Sequence, residues 1–193
     1  MNLNDKLILT DCDGVMVAWE SAFDEWLTSL GYVKTHNEVY SIHDKWEGFT
    51  KEDSRYYVSR FNQSATIGWL TPYKDAYKYM RKLYEEHGYV FRVITSFEKN
   101  IYSSRLRHMN IHNLFGPEIF ERIDCIGDEC KSEYLKQYKN TGCVWIEDKV
   151  SNAEMGHELG LNTFLMDHSY NRDMINPEIK RVNNWKDIYE WIT

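Results

Sequence analysis

Near the N-terminus the apolar run Leu7-Ile8-Leu9-Thr10 ends abruptly in Asp11-Cys12-Asp13-Gly14. In a strand, residues i and i+2 share a face, so Asp11 and Asp13 can address one site. Two acids so placed repel each other, which calls for a cation or for a proton on one of them. A polar strand end followed by an Asp-Gly turn is the plainer reading of the same residues. Other strand ends are polar as well. The run 89–94 ends in Thr95 and Ser96, the run 143–146 ends in Glu147 and Asp148, and Lys131 opens the helix after the short strand 122–126. Hard carboxylate oxygens with few nitrogen or sulfur neighbours suit Mg²⁺. An aspartate can attack phosphorus to give an aspartyl-phosphate, and a second acid can protonate the leaving alcohol and later deprotonate water. A hydroxyl and a lysine would hold the phosphoryl oxygens.

These residues can meet only if the elements carrying them are arranged side by side. The pattern predicts a strand over 6–11, a helix bearing Trp19, Phe23, Trp26, Leu27 and Leu30, an irregular stretch over 32–50, and a helix over 51–63. Thr71-Pro72 predicts a helix start, with Thr71 as N-cap, and His87-Gly88 its end. From residue 89 strands and helices alternate: strands at 89–94, 122–126, 143–146 and 162–166, and helices at 98–109, 131–139, 150–159 and 185–192. That alternation predicts an α/β fold, a Rossmann-like parallel sheet covered on both faces. In such a sheet all carboxyl ends lie along one edge, where ligands bind. The helical, aromatic stretch interrupting the alternation predicts an inserted helical cap at 16–70, over a core made of 1–15 and 71–193.

The composition narrows the partners. The 193 residues are 42% hydrophobic and 15% aromatic, enough for a real core. A formal charge of −7, from 30 acidic and 23 basic residues, gives no pull towards long nucleic acid or anionic lipid. No run approaches the roughly 18 consecutive apolar residues of a membrane span, and the polar start does not resemble a signal peptide. The four cysteines, Cys12, Cys125, Cys130 and Cys143, lack CxxC spacing and read as reduced thiols of a cytoplasmic protein. The seven histidines show no ligand spacing. Arg105, Arg107 and His108 read as a solvated helix face. A homodimer is compatible with the sequence.

Asp11-Cys12-Asp13-Gly14-Val15, Thr95-Ser96, Lys131 and Glu147-Asp148, in that order, resemble the four motifs of the haloacid dehalogenase superfamily. The resemblance implies Asp11 as nucleophile, Asp13 as general acid/base, Thr95 and Ser96 as phosphoryl binders, and Lys131 as a charge-neutralising group. It also implies Mg²⁺ on Asp11, Asp148 and the carbonyl of Asp13, with Glu147 in support; Glu147 stands where the family often has a second Asp. The dehalogenase branch lacks an acid at the position of Asp13, because a halide leaving group needs no proton. Asp13 therefore favours a phosphatase.

The insertion matches the position of the family's helical cap, and Trp19, Trp46, Phe49 and Trp69 are candidates to stack against a base; the alternative is that they form the cap's own core. The stretch Tyr170-Asn171-Arg172 resembles a segment of 5'(3')-deoxyribonucleotidases, with Ser169 where proline is common. That likeness implies a (deoxy)nucleoside monophosphate substrate, with Asn171 and Arg172 near it. The alternatives are another small phosphoester, such as a sugar phosphate or a nucleic-acid 3'-phosphate, or a non-catalytic nucleotide-binding protein of the same fold.

Overall fold

The computed structural model describes residues 6–173 and 176–193. The polar residues 1–5, assigned above to the core, lie outside the described residues. Six short strands form one sheet: β1 (Leu7–Thr10), β2 (Val90–Thr95), β3 (Phe120–Cys125), β4 (Val144–Glu147), β5 (Asn162–Met166) and β6 (Lys180–Val182). Their order is β3-β2-β1-β4-β5-β6, and every pairing is parallel. The sheet is thus the one that the alternation predicted, extended by β6, whose three residues are too few to show a period.

Successive residues of a strand face opposite sides, and β1 serves both. Ile8 joins the apolar cluster that holds Met80, Ile111, Phe115, Trp185 and Ile188, whereas Leu7 and Leu9 join Leu135 and Trp145. The first group places α4 (Ala76–His87), α5 (Ile101–Phe115) and α8 (Trp185–Ile192) on one face. On the other face Leu135 brings α6 (Lys131–Leu135), while α7 (Val150–Glu158) packs along β4 and β5. Between β1 and α4 the chain forms α1 (Trp19–Ser29), α2 (Ile42–Lys45) and α3 (Lys51–Asn62), with no strand. Phe23, Leu27, Trp46 and Phe61 of this stretch are buried in continuity with the first cluster. Among the described residues no helix is long and apolar enough to cross a membrane.

Two expected helix starts move. Thr71-Pro72 does not open α4. Pro72 instead forms an antiparallel bridge with Val17, Tyr73 N donates to the Met16 carbonyl at 2.7 Å, and Ala18 N donates to that of Thr71 at 3.0 Å. The chain leaves and re-enters the sheet layer at neighbouring points, so the two connections lie side by side and satisfy each other's backbone. Extended backbone suits Pro72, which has no N–H to contribute. The helix at 98–109 in turn runs from Ile101 to Phe115, because the Asn100 side chain accepts from Tyr102 N at 2.9 Å and caps it there.

Candidate active site

β1 lies between β2 and β4, so the connections from the sheet diverge on its two sides, and a crevice opens at its carboxyl end. Asp11 continues the ladder by one bond, its N–H donating to the Ile146 carbonyl at 2.9 Å. Gly14 then turns the chain at φ +74. A Cβ at Gly14 would fall 2.6 Å from Asp148 Oδ2, so only glycine lets this loop lie against the end of β4. The crevice encloses about 440 Å³ and is lined on the sheet side by Asp11, Asp13, Thr95, Ser96, Lys131 and Asp148.

Within it the charged groups are interlocked. Lys131 Nζ lies 2.8 Å from Asp11 Oδ1 and 2.6 Å from Glu147 Oε1. Asp11 Oδ1 also accepts from Cys12 N at 2.7 Å. Fully buried Glu147 accepts from Asn152 Nδ2 at 2.6 Å, from Asp148 N at 2.7 Å and from Lys149 N at 2.8 Å. The Tyr170 hydroxyl donates to Asp148 Oδ2, and Asn171 Nδ2 donates to the carbonyls of Asp148 and Met166, each at 2.8 Å. Tyr170 is in turn packed edge-on by Tyr40 and has the Lys45 ammonium 5.2 Å above its ring.

Negative charge is in excess here. Burial pushes the Asp11 carboxyl up to about 7; Lys131 pulls against this, and Glu147 and Asp13 reinforce it. Burial, then Glu147 and Asp11, raise Asp148 well above the ordinary carboxylate range. Burial also pushes on Glu147, but Lys131 and the surrounding hydrogen bonds win and hold it below its usual value. One lysine therefore fully serves Glu147 and leaves two carboxylates short of positive charge.

The donors fit a hard divalent cation. Asp11, Glu147 and Asp148 each offer an oxygen, all within 4.8 Å of one another. The four donors on Glu147 occupy both of its oxygens, whereas Asp11 Oδ2 and Asp148 Oδ1 accept no hydrogen bond among the described residues. Two open carboxylate oxygens with unmet negative charge, in a group that among the described residues holds no histidine or cysteine, suit a hard divalent cation such as Mg²⁺.

The other nominated residues divide. Trp19 lines the crevice, its Nε1 donating to Asn62 Oδ1 at 2.8 Å and its ring stacked on Phe23 at 4.8 Å. Trp46 is buried and lies 6.2 Å from Phe49, which packs on Tyr32 and Tyr57; neither Trp46 nor Phe49 reaches the crevice. Short helices rich in aromatics bury those rings against one another. Trp69 is 74% exposed and stands outside the crevice. Asn171 is buried where it braces the backbone of Asp148, and Arg172 is exposed and pairs with Asp167 at 2.9 Å.

Arg107 corrects the sequence expectation. Its side chain is wholly buried rather than solvated, with Nη1 2.7 Å from Asp13 Oδ1 and Nη2 3.0 Å from Oδ2. The signal was there: Arg107 shares a four-residue spacing with Ser103, Ile111 and Phe115, all on the buried stripe of α5. No local pattern marks Tyr40 or Lys45, and Tyr170, although it belongs to the Tyr170-Asn171-Arg172 segment, carries no role in the sequence reading.

No protein-family model matches the chain. An uncharacterized 32.4 kDa protein of Enterobacteria phage T4 is 28% identical over 191 residues, covering 94% of this chain and 67% of that protein. Among solved structures, the haloacid dehalogenase-like hydrolase SP0104 from Streptococcus pneumoniae superposes with a TM-score of 0.67 at 13% identity, over 97% of this chain and 98% of its own. The HAD-hydrolase YfnB from Bacillus subtilis, bound to magnesium, gives 0.62 at 13% identity over 97% and 98%. CbbY from Rhodobacter sphaeroides, in complex with phosphate, gives 0.59 at 16% identity over 95% and 96%. Parallel sheet, strand order and overall likeness agree: this chain has the haloacid dehalogenase-like, Rossmann-type fold.

Proposed function

We propose that this protein is a Mg²⁺-dependent phosphomonoesterase that works through an aspartyl-phosphate on Asp11, with (deoxy)nucleoside monophosphates as substrates. The observation that carries the reading is Asp11 itself: one oxygen engaged by Lys131, the other open, in a crevice shared with Asp13, Thr95 and Ser96. Asp11 attacks phosphorus through one carboxylate oxygen, and the bond to the ester oxygen breaks. Asp13 gives its proton to that oxygen, and the alcohol leaves. Water then attacks the aspartyl-phosphate, Asp13 takes up a proton from it, and inorganic phosphate is released with Asp11 restored. Thr95, Ser96 and Lys131 hold the phosphoryl oxygens and offset their charge.

Asp11 and Asp148 would hold Mg²⁺ with the carbonyl of Asp13, and Glu147 would brace Lys131 and the backbone at Asp148. When bound, the ion offsets the repulsion between the nucleophile and the phosphoryl group. The magnesium bound to YfnB and the phosphate bound to CbbY support this assignment. Residues 16–70 act as the cap, excluding water from the chemistry. Trp19 and Tyr40 offer aromatic surface at the crevice, and Asn62 a polar edge, which suits a nucleoside leaving group. Four free thiols suit a reducing, cytoplasmic setting.

Phosphate release from a panel of nucleoside monophosphates and sugar phosphates, each with Mg²⁺ and with chelator, tests the proposal. Mg²⁺-dependent release that favours nucleotides is expected. Equal or faster release from sugar phosphates would remove the nucleotide assignment, and retained activity in Asp11→Asn would remove the covalent mechanism.

A further inference from the structure

Behind Asp13 sits a cation that the attack on phosphorus does not use. Arg107 reaches from α5 to both oxygens of the Asp13 carboxylate, at 2.7 and 3.0 Å. Its own position is tightly determined. The guanidinium carbon lies 4.4 Å from the centroid of the Phe97 ring, Nη1 lies 3.4 Å from Cys12 Sγ, and no part of the side chain is exposed. Asp13, by contrast, keeps 27% of its side chain exposed, at the crevice. The carboxylate is therefore gripped from behind and open in front.

Nη2 donates to Asp13 Oδ2, whereas Nη1 donates to Cys12 Sγ and meets Oδ1 as a charge contact without a hydrogen bond. One charge-assisted bond and one ion-pair contact to a rigid guanidinium together hold the carboxylate in place. Oδ1 is closed off from solvent and accepts no hydrogen bond, so of the carboxylate's about four lone-pair sites those that can serve the crevice are on Oδ2, and Arg107 takes one of them. The other Oδ2 site faces away from Arg107, so a proton carried there by Asp13 is directed to the crevice, where the leaving-group oxygen arrives. Arg107 does not exchange protons itself, since guanidinium stays charged in proteins. As the ester bond breaks, the proton passes from Asp13 to the departing oxygen, and the carboxylate left behind is stabilised by the guanidinium charge already in place.

We infer that Arg107 is a positioning residue for proton transfer: it orients Asp13 towards the leaving-group oxygen and takes no part in binding the phosphoryl group or the metal. This rests on the reading of Asp13 as the general acid. A group acting through Asp13 matters in proportion to how much the leaving group needs a proton, and a merely structural group does not discriminate in that way.

The test compares kcat/KM for phenyl phosphate, a poor leaving group, with that for p-nitrophenyl phosphate, a good one, both with Mg²⁺. The ratio cancels the folded fraction of each preparation. Positioned general acids contribute about 10²- to 10⁴-fold, so Arg107→Met should lower the ratio of phenyl to nitrophenyl hydrolysis by roughly tenfold or more. Arg107→Lys, which keeps the charge and loses the planar guanidinium with its contacts to Cys12 and Phe97, should lower it less, and it carries the measurement if Arg107→Met does not fold. In an Asp13→Asn background, neither substitution should move the ratio further. Equal losses on both esters, or a ratio that still falls in the Asp13→Asn background, would overturn the inference. Wild-type protein that releases phosphate from neither ester nor any nucleoside monophosphate or sugar phosphate of the panel would instead overturn the phosphatase assignment, so the two failures are distinguishable.

Discussion

Raising the pH should destabilise the metal-free protein, and Mg²⁺ should suppress that loss. The cause is the unmet charge on Asp11, whose carboxyl stands at about 7 in the fold against an ordinary 3.8. Between those values the folded chain retains a proton that the unfolded chain has released. Folded protein then binds more protons than unfolded, so stability falls as pH rises through this window and levels off above about pH 7. At 1.36 kcal/mol per pH unit, the gap of about three units amounts to about 4 kcal/mol. For a chain of this size that is a fall in Tm on the order of 10 °C. Asp148, also raised, pushes the same way, whereas His108 and His168, held below their usual value by burial, push the opposite way below about pH 6.5. The Asp11 contribution is therefore read as the difference between wild type and Asp11→Asn. The assay is thermal unfolding from about pH 5 to about pH 8, in chelator and in Mg²⁺. In chelator the wild-type advantage should shrink with rising pH; in Mg²⁺ it should hold or grow, because the cation binds the ionised carboxylate. A difference that stays flat in chelator, or the same slope in both media, would refute the account of the site's charge.

Three further outcomes are expected. Gly14→Ala combines backbone strain at φ +74, about 1–2 kcal/mol, with a Cβ 2.6 Å from Asp148 Oδ2; chemical denaturation should show at least that loss, and Mg²⁺ should stabilise the variant less than wild type. Lys131→Met strands fully buried Glu147 without its cation, which should cost roughly 3–5 kcal/mol in urea unfolding and abolish phosphate release. Trp19→Ala removes aromatic surface from the crevice, so KM for a nucleoside monophosphate should rise roughly tenfold, while KM for phenyl phosphate should move much less.

The elements were legible in the chain wherever a face is buried regularly. Leu7–Thr10 reads as a strand because all four residues are covered, and α8 reads as a helix because Trp185, Ile188 and Tyr189 fall on one stripe. The start of α4 was not legible, because Thr71-Pro72 carries local signals for a helix that long-range pairing with Met16 and Val17 overrides. Asp75, just ahead of α4, spends its carboxylate on the N–H groups of Trp185 and Lys186 at the start of α8.

The candidate site divides along the same line. The sequence by itself determined that acids, hydroxyls and a lysine end or follow strands, and parallel strands must share a carboxyl edge; the meeting of Asp11, Asp13, Thr95, Lys131 and Asp148 follows from topology alone. What only the tertiary structure decided is how the charges are apportioned. Lys131 is shared between Asp11 and Glu147, Tyr170 and Asn171 brace Asp148, and Arg107 of α5 grips Asp13 across 94 residues of chain. Spacing along a strand or helix can reveal which residues share a face. It carries no information on which charge from a distant element will be buried against it, because that depends on how whole layers pack.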